Sequence, residues 1–259
     1  MGARIAPRPS RLPFPVISAP RTLVPLSSAT ELSRVEDGLR LPLLVWAPGP
    51  GWLMLSSAIL GGGWGERHWV MNAQVPPGYR RHDPDRHLEA LARGARLGGP
   101  GAAFMTAARV GAHGYAHDGE AEALVTAGVG VHGWAASPEP AGDGPPPAGT
   151  INIIVALPVP LSPAAYVNAV ATATEAKVQA LRDAGVDASG TPTDAVCVAA
   201  PHPRPGQSYE VFTGPRSTWG ARLARAVHRA AYDACVRDLR ARGAAGCGAD
   251  VNAAVRRGG

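Results

Sequence analysis

The sequence predicts an α/β fold: a mixed layered sandwich of sheet and helices built as a single domain. Three observations carry this expectation. Short β-branched runs such as Thr150-Ile151-Asn152-Ile153-Ile154-Val155 have the composition of strands. Helical stretches with their own start and stop signals alternate with those runs. The strands are continuously apolar rather than alternating, the pattern of sheets covered on both faces.

Composition narrows the function classes. A chain of 259 residues can bury a sizeable core, and 46% hydrophobic with 17% charged residues describes a globular protein. The formal net charge of +5 is spread along the chain, with no basic run interleaved with aromatics, so nucleic acid is not an expected partner. Cys197, Cys235 and Cys247 show neither C-x-x-C spacing nor an even count, which fits a reducing compartment. No apolar run is long enough to span a membrane, and the N-terminus lacks the clean apolar core of a signal peptide. The expected location is the cytoplasm, without a membrane partner; a homo-oligomer is compatible with all of this.

Along the chain, residues 1–30 mix Pro, Arg and Ser with short apolar pieces and are expected to form a poorly ordered leader. The domain then spans 31–240, with 241–259 as a flexible tail. Apolar runs at 41–46 and 51–60, broken by Ala47-Pro48-Gly49-Pro50, predict two strands joined by a turn. The triplet Gly61-Gly62-Gly63 lets backbone N–H groups approach a ligand, or simply makes a tight turn; it has neither P-loop nor dinucleotide-fingerprint spacing. Asp83-Pro84 starts a helix with Leu88, Leu91, Ala92 and Ala95 inward and ends it in Gly98 and Gly99. A strand is expected over 101–110, paired with an apolar segment at 121–131, and 137–148 is a Pro/Gly-rich loop. The second half brings a strand at 150–157, a helix at 163–184 with Ser162 as N-cap and Pro163 first, a strand at 193–200, and a helix from Thr218 to Arg240. Both halves thus run strand, helix, strand, a parallel too weak to establish a duplication.

Chemistry is expected in the second half, between Gly149 and Asp194. Lys177 is the only lysine in an Arg-rich chain, so it either survives where a compact ammonium matters or survives by chance. Val167, Val170, Thr174, Val178 and Leu181 fall on one helical stripe, which predicts Thr174 at least half-buried against a sheet. Glu175 and Lys177 flank that stripe, too close in sequence to pair with each other. In Thr191-Pro192-Thr193-Asp194, hydroxyls and a carboxylate at a strand edge suit orienting a water or holding a lysine, and equally suit a turn bonded to its own backbone. Asn72 is placed to donate to an oxyanion or to cap a turn. None of the eight histidines lies in an H-E-x-x-H, so no metal site is expected. Ser56-Ser57 makes no nucleophile elbow, Cys197 reads as core, and Arg222, Arg225 and Arg229 read as a solvated helix edge.

Taken in order, a set of segments resembles the adenosylcobinamide amidohydrolase family over roughly residues 31–240. They are Leu55-Ser56-Ser57-Ala58 leading to Gly61-Gly62-Gly63, Asn72 with Val75-Pro76, Thr106-Ala107-Ala108, and Gly149-Thr150-Ile151-Asn152-Ile153. Ala173-Thr174-Glu175-Ala176-Lys177, Gly190-Thr191-Pro192-Thr193-Asp194-Ala195 and Gly214-Pro215-Arg216-Ser217 to Gly220 complete the set, with Pro192 where Gly is expected. The resemblance implies hydrolysis of the amide joining aminopropanol to the corrin ring of adenosylcobinamide, giving adenosylcobyric acid for cobalamin salvage. No cofactor is expected, with a divalent ion left open. For such a reaction, Glu175 or Asp194 would orient water or the Thr174 hydroxyl, and Lys177 would stabilise charge or supply a proton. Asn72 or the amides of Gly61, Gly62 and Gly63 would hold the oxyanion, with Thr106, Thr150, Asn152, Thr193 and Ser217 on the substrate. Trp64 and Trp69 would pack on the corrin face. Two rival readings stand beside this one. One is a corrinoid-binding protein without catalysis. The other is a hydrolase that cuts itself at Gly149-Thr150, in an accessible Pro-rich surrounding, and uses the new Thr150 amine as base.

Overall fold

The computed structural model describes residues 23–137 and 149–255. The apolar runs become ten strands among the described residues: β1 (Thr30–Glu36), β2 (Leu39–Trp46), β3 (Trp52–Ser56), β4 (Gly63–Glu66), β5 (Trp69–Gln74), β6 (Gly101–Thr106), β7 (Gly114–Asp118), β8 (Ala121–Gly128), β9 (Thr150–Ala156) and β10 (Ala195–Pro201). The helices are α1 (Pro84–Gly94), α2 (Pro163–Asp183) and α3 (Thr218–Val255).

The strands form two sheets, β1-β2-β5-β6 and β4-β3-β10-β9-β8-β7. Their facing sides bury Trp46, Met54, Val70, Phe104, Ile154 and Cys197 together. On the outer face of the first sheet, Leu43, Val45 and Met71 meet Leu88 and Ala92 of α1. On the outer face of the second, Ile151, Ile153 and Val155 meet Tyr166, Ala173 and Ala180 of α2 and Leu223 and Val227 of α3. The order is helix, sheet, sheet, helices, the expected α/β layered sandwich. Because both faces of β9 are covered, all seven of its residues are buried, which explains a strand without alternation.

Each sheet contains one parallel pair joined by a helix, β5-α1-β6 and β9-α2-β10. Those are the two strand-helix-strand runs of the sequence. α2 starts as expected: the Ser162 side chain accepts from the Ala165 N–H, and Pro163 needs no donor at the first helical position.

Three expectations are corrected. The strands around Ala47-Pro48-Gly49-Pro50 do not belong to one sheet: β2 pairs with β1 and β5, whereas β3 pairs with β4 and β10. The turn hands the chain from one layer to the other, with Gly49 and Gly51 at positive φ. The segment after residue 121 does not pair with β6; β8 lies between β7 and β9 in the second sheet, and β6 is held by β5. On α2, the predicted stripe packs only in part: Leu181 is buried in the core and Val170 touches it, but the rest turns away. Val167 is 62% exposed and Thr174 is exposed, while Ala165, Ala169, Ala173, Ala176 and Ala180 are buried. Small side chains on that face bring the helix close to α3, whose Ala226, Ala230 and Ala231 share the same core.

Leu26 is fully buried and its N–H donates to Glu122 Oε2 at 2.5 Å, so residues 23–30 join the folded body. α3 continues past 240 to Val255. The expected leader up to residue 22 and the loop at 138–148 lie outside the described residues, as does the tail from 256.

Candidate active site

The first parallel pair ends, at Gln74 and Thr106, where the second begins, at Thr150 and Ala195. Between these ends opens a cleft of about 640 Å³, lined by Thr106, Thr150, Asn152, Thr193 and Asp194 from the strand ends. The loop after β5 adds Tyr79, Arg80 and Arg81 on the other side.

Asp194 is the centre of the polar arrangement. Its Oδ1 accepts the Ile151 N–H at 2.9 Å and the Thr191 hydroxyl; its Oδ2 accepts Lys177 Nζ at 2.5 Å and the Thr191 N–H at 3.2 Å. One carboxylate therefore ties the start of β9, the turn before β10 and the inner face of α2. Pro192 suits this turn, because its φ is preset for the second turn position. Gly190 leaves room for this pair: a Cβ there would run into Asp194 Oδ2 and come within 2.7 Å of Lys177 Nζ, so the pair would have to shift.

Next to this pair, the Thr193 hydroxyl donates to the Gly149 carbonyl oxygen at 2.9 Å. Thr193 and Thr150 hydroxyl oxygens are 2.5 Å apart. Since the Thr193 proton goes to Gly149, the Thr150 hydroxyl is the donor between them. Gly149 itself is tightly seated, because a Cβ would collide with the Val131 carbonyl oxygen.

Below the cleft, a buried polar thread joins the sheets. Asn152 Nδ2 donates to Asn72 Oδ1 at 3.0 Å and to the Met105 carbonyl at 3.1 Å. Asn72 Nδ2 in turn donates to Thr126 Oγ1 at 2.8 Å. The Met105 carbonyl only accepts, which fixes the amide orientation along the thread.

On the opposite wall, Tyr79 stacks on buried His87 with an interplanar angle of 15°, and its OH lies 2.9 Å from His87 Nδ1. His87 Nε2 is 3.0 Å from Glu36 Oε1. Burial lowers the His87 pKa and Glu36 opposes it, with the lowering dominant. The neutral ring then accepts from Tyr79 and donates to Glu36. Burial likewise raises the Tyr79 pKa.

The structure brings together Thr106, Thr150, Asn152, Thr193 and Asp194 at the cleft, with Lys177 behind Asp194 and Asn72 behind Asn152. It leaves out the others. Thr174 is exposed on α2, where its hydroxyl bonds back to the Val170 carbonyl, and Glu175 is exposed beside it. The carbonyls of Gly61 and Gly62 are held by the Arg67 guanidinium, and neither these glycines nor Gly63 line the cleft. Ser217 accepts the Gly220 N–H at the start of α3. Trp69 is buried in the core and Trp64 stands edge-on to Tyr166 at 4.5 Å, so neither reaches the cleft. Tyr79, Arg80 and Arg81 were not singled out from the sequence. Their signal was position: they follow the C-terminal end of a buried strand, where loops carry binding groups. Among the described residues, no three His, Cys, Asp or Glu side chains cluster to hold a metal ion, and no helix is long and apolar enough to cross a membrane.

Comparison with known proteins places the chain in a family. A sequence model of the adenosylcobinamide amidohydrolase family matches residues 26–243. An adenosylcobinamide amidohydrolase of Methanosarcina mazei is 30% identical over 174 residues, covering 65% of this chain and 82% of that protein. Among solved structures, the chain is similar to the L-aminopeptidase D-Ala-esterase/amidase of Ochrobactrum anthropi, described as a variant of the Ntn hydrolase fold. That likeness has 13% identity and a TM-score of 0.38 over 81% of this chain and 83% of the other, too distant to carry an inference. By the extent of the family match and the identity to its archaeal relative, this chain belongs to the adenosylcobinamide amidohydrolase family, whose members are hydrolases of an amide bond.

Proposed function

We propose that the chain hydrolyses the amide joining aminopropanol to the corrin ring of adenosylcobinamide. The products are adenosylcobyric acid and aminopropanol, in corrinoid salvage for cobalamin biosynthesis. The observation that supports this reading is the pair of linked hydroxyls, Thr150 and Thr193, bordering a cleft that matches small-molecule sites in size. The aminopropanol arm enters the cleft and the corrin lies across its mouth, against exposed Ile59 and half-buried Tyr79.

The chemistry needs a nucleophile, a donor for the oxyanion and a proton for the leaving amine. In this proposal the Thr150 hydroxyl attacks and the Thr193 hydroxyl donates to the developing oxyanion. Asp194 already accepts four hydrogen bonds, a full complement for a carboxylate, so it serves as a positioning residue with Lys177 as its counter-charge. Neither Glu175 nor Thr174 takes part. The reaction so drawn draws no cofactor from the protein and is expected to run unchanged in a chelator.

The test is purified protein incubated with adenosylcobinamide, followed by mass spectrometry of the corrinoid. Loss of the aminopropanol unit is the expected result. An unchanged corrinoid overturns the proposal, and tight binding without turnover puts the non-catalytic corrinoid-binding reading in its place.

A further inference from the structure

The cleft has a nucleophile without a base. Among the described residues no histidine lines it, and its only carboxylate is Asp194, whose lone pairs are occupied. The Thr150 hydroxyl needs a group to take its proton when it attacks an amide. The nearest source is the nitrogen of Thr150 itself, which is basic only as a free amine, with an ordinary pKa of about 7.7–8.0.

The geometry points to how that amine arises: we propose that the chain cuts its own peptide bond between Gly149 and Thr150. This rests on the reading of the cleft as the amide-hydrolysing site. The hydrogen-bonded chain already runs from the Thr150 hydroxyl to Thr193 at 2.5 Å and from Thr193 to the Gly149 carbonyl oxygen at 2.9 Å. It connects the attacking oxygen to the carbonyl oxygen of the bond just before it. Both sides of that bond are immobilised, Gly149 beneath the Val131 carbonyl and the Ile151 N–H on Asp194. Holding the reacting groups in place removes much of the entropic barrier to attack.

The Thr150 Oγ1 adds to the Gly149 carbonyl carbon. Its proton passes to Thr193 as the Thr193 proton passes to the carbonyl oxygen, so the intermediate is neutral. The carbon–nitrogen bond then breaks, the proton on that oxygen is delivered to the Thr150 nitrogen, and an ester links Gly149 to the Thr150 oxygen. Water from the cleft hydrolyses the ester, leaving a Gly149 carboxylate and an N-terminal Thr150 with its hydroxyl restored. In turnover the new amine takes the Thr150 hydroxyl proton and gives it to the departing aminopropanol nitrogen.

The test is the intact mass, under denaturing conditions, of the full chain purified without protease, with its fold checked by circular dichroism. The expected result is two polypeptides, residues 1–149 and 150–259, in place of one chain of 26.6 kDa. Thr150→Ala is expected to stay whole and Thr150→Ser to be cut. Thr193→Val is expected to slow the cut roughly 10²-fold, the effect of losing one donor to a developing oxyanion. A folded wild-type chain that stays whole overturns the proposal; if it also turns over adenosylcobinamide, the function proposed above still stands. A chain cut at this bond that leaves adenosylcobinamide unchanged upholds the cut and overturns that function.

Discussion

Lys177 Nζ lies 2.5 Å from Asp194 Oδ2, so the single lysine of the chain is the counter-ion of the carboxylate that anchors β9. The two side chains are only 9% and 15% exposed. Replacing Lys177 by Met leaves a largely buried carboxylate without its counter-charge. Breaking such a pair costs about 3–5 kcal/mol, and the three other hydrogen bonds to Asp194 place this site near about 3 kcal/mol. Urea unfolding reads the loss as a lower midpoint at similar slope. Lys177→Met with Asp194→Asn is expected to cost less than the sum of the single changes.

Glu175 and Thr174 face solvent, so Glu175→Gln and Thr174→Ala are expected to keep turnover within about twofold and stability within about 0.5 kcal/mol. Steady-state kinetics on adenosylcobinamide check this. A loss of kcat as deep as that of Thr150→Ala in either variant would return the helix to the reaction.

The Asn72–Asn152 thread predicts a stability effect separate from catalysis. Asn72→Leu removes the acceptor of Asn152 and the donor to Thr126, two groups buried to 2% and 0% exposure. Leaving buried partners unsatisfied costs about 1–3 kcal/mol. Adding Thr126→Val is expected to recover part of the loss in thermal unfolding, because one orphaned group is then removed.

His87 gives stability a pH dependence. Its folded pKa lies below the value of 6.5 that it takes in the unfolded chain, chiefly through burial. The unfolded chain therefore binds the proton first, and the contribution is full above about pH 6.5 and lost as pH falls towards the folded pKa. Wild-type Tm is expected to drop more between pH 7 and pH 5 than that of His87→Gln. Equal slopes in the two proteins would remove His87 as the cause.

Much of the second half was legible in local sequence. The β-branched run of β9, the Ser162-Pro163 start of α2 and the layered α/β class follow from short-range preferences, which the finished fold obeys. Lys177 stood out by being alone, and Thr193 and Asp194 by sitting at a strand edge. The family resemblance, carried by ordered motifs, pointed to the same segments.

What local sequence left undecided was which partners each element meets. Periodicity marks 163–183 as a helix, but the face it buries depends on the neighbour. Close approach of α3 favours the alanines over the valine stripe, which turned Thr174 outward. Nothing local says that β8 joins β9 instead of β6, since strand pairing is a long-range choice. The sequence by itself determined the elements, the family and most of the polar groups at the cleft. Only the tertiary structure decided that Thr193 would come down on Thr150 and the Gly149 carbonyl, because those contacts span 43 and 44 residues and exist only when β9 and β10 lie side by side.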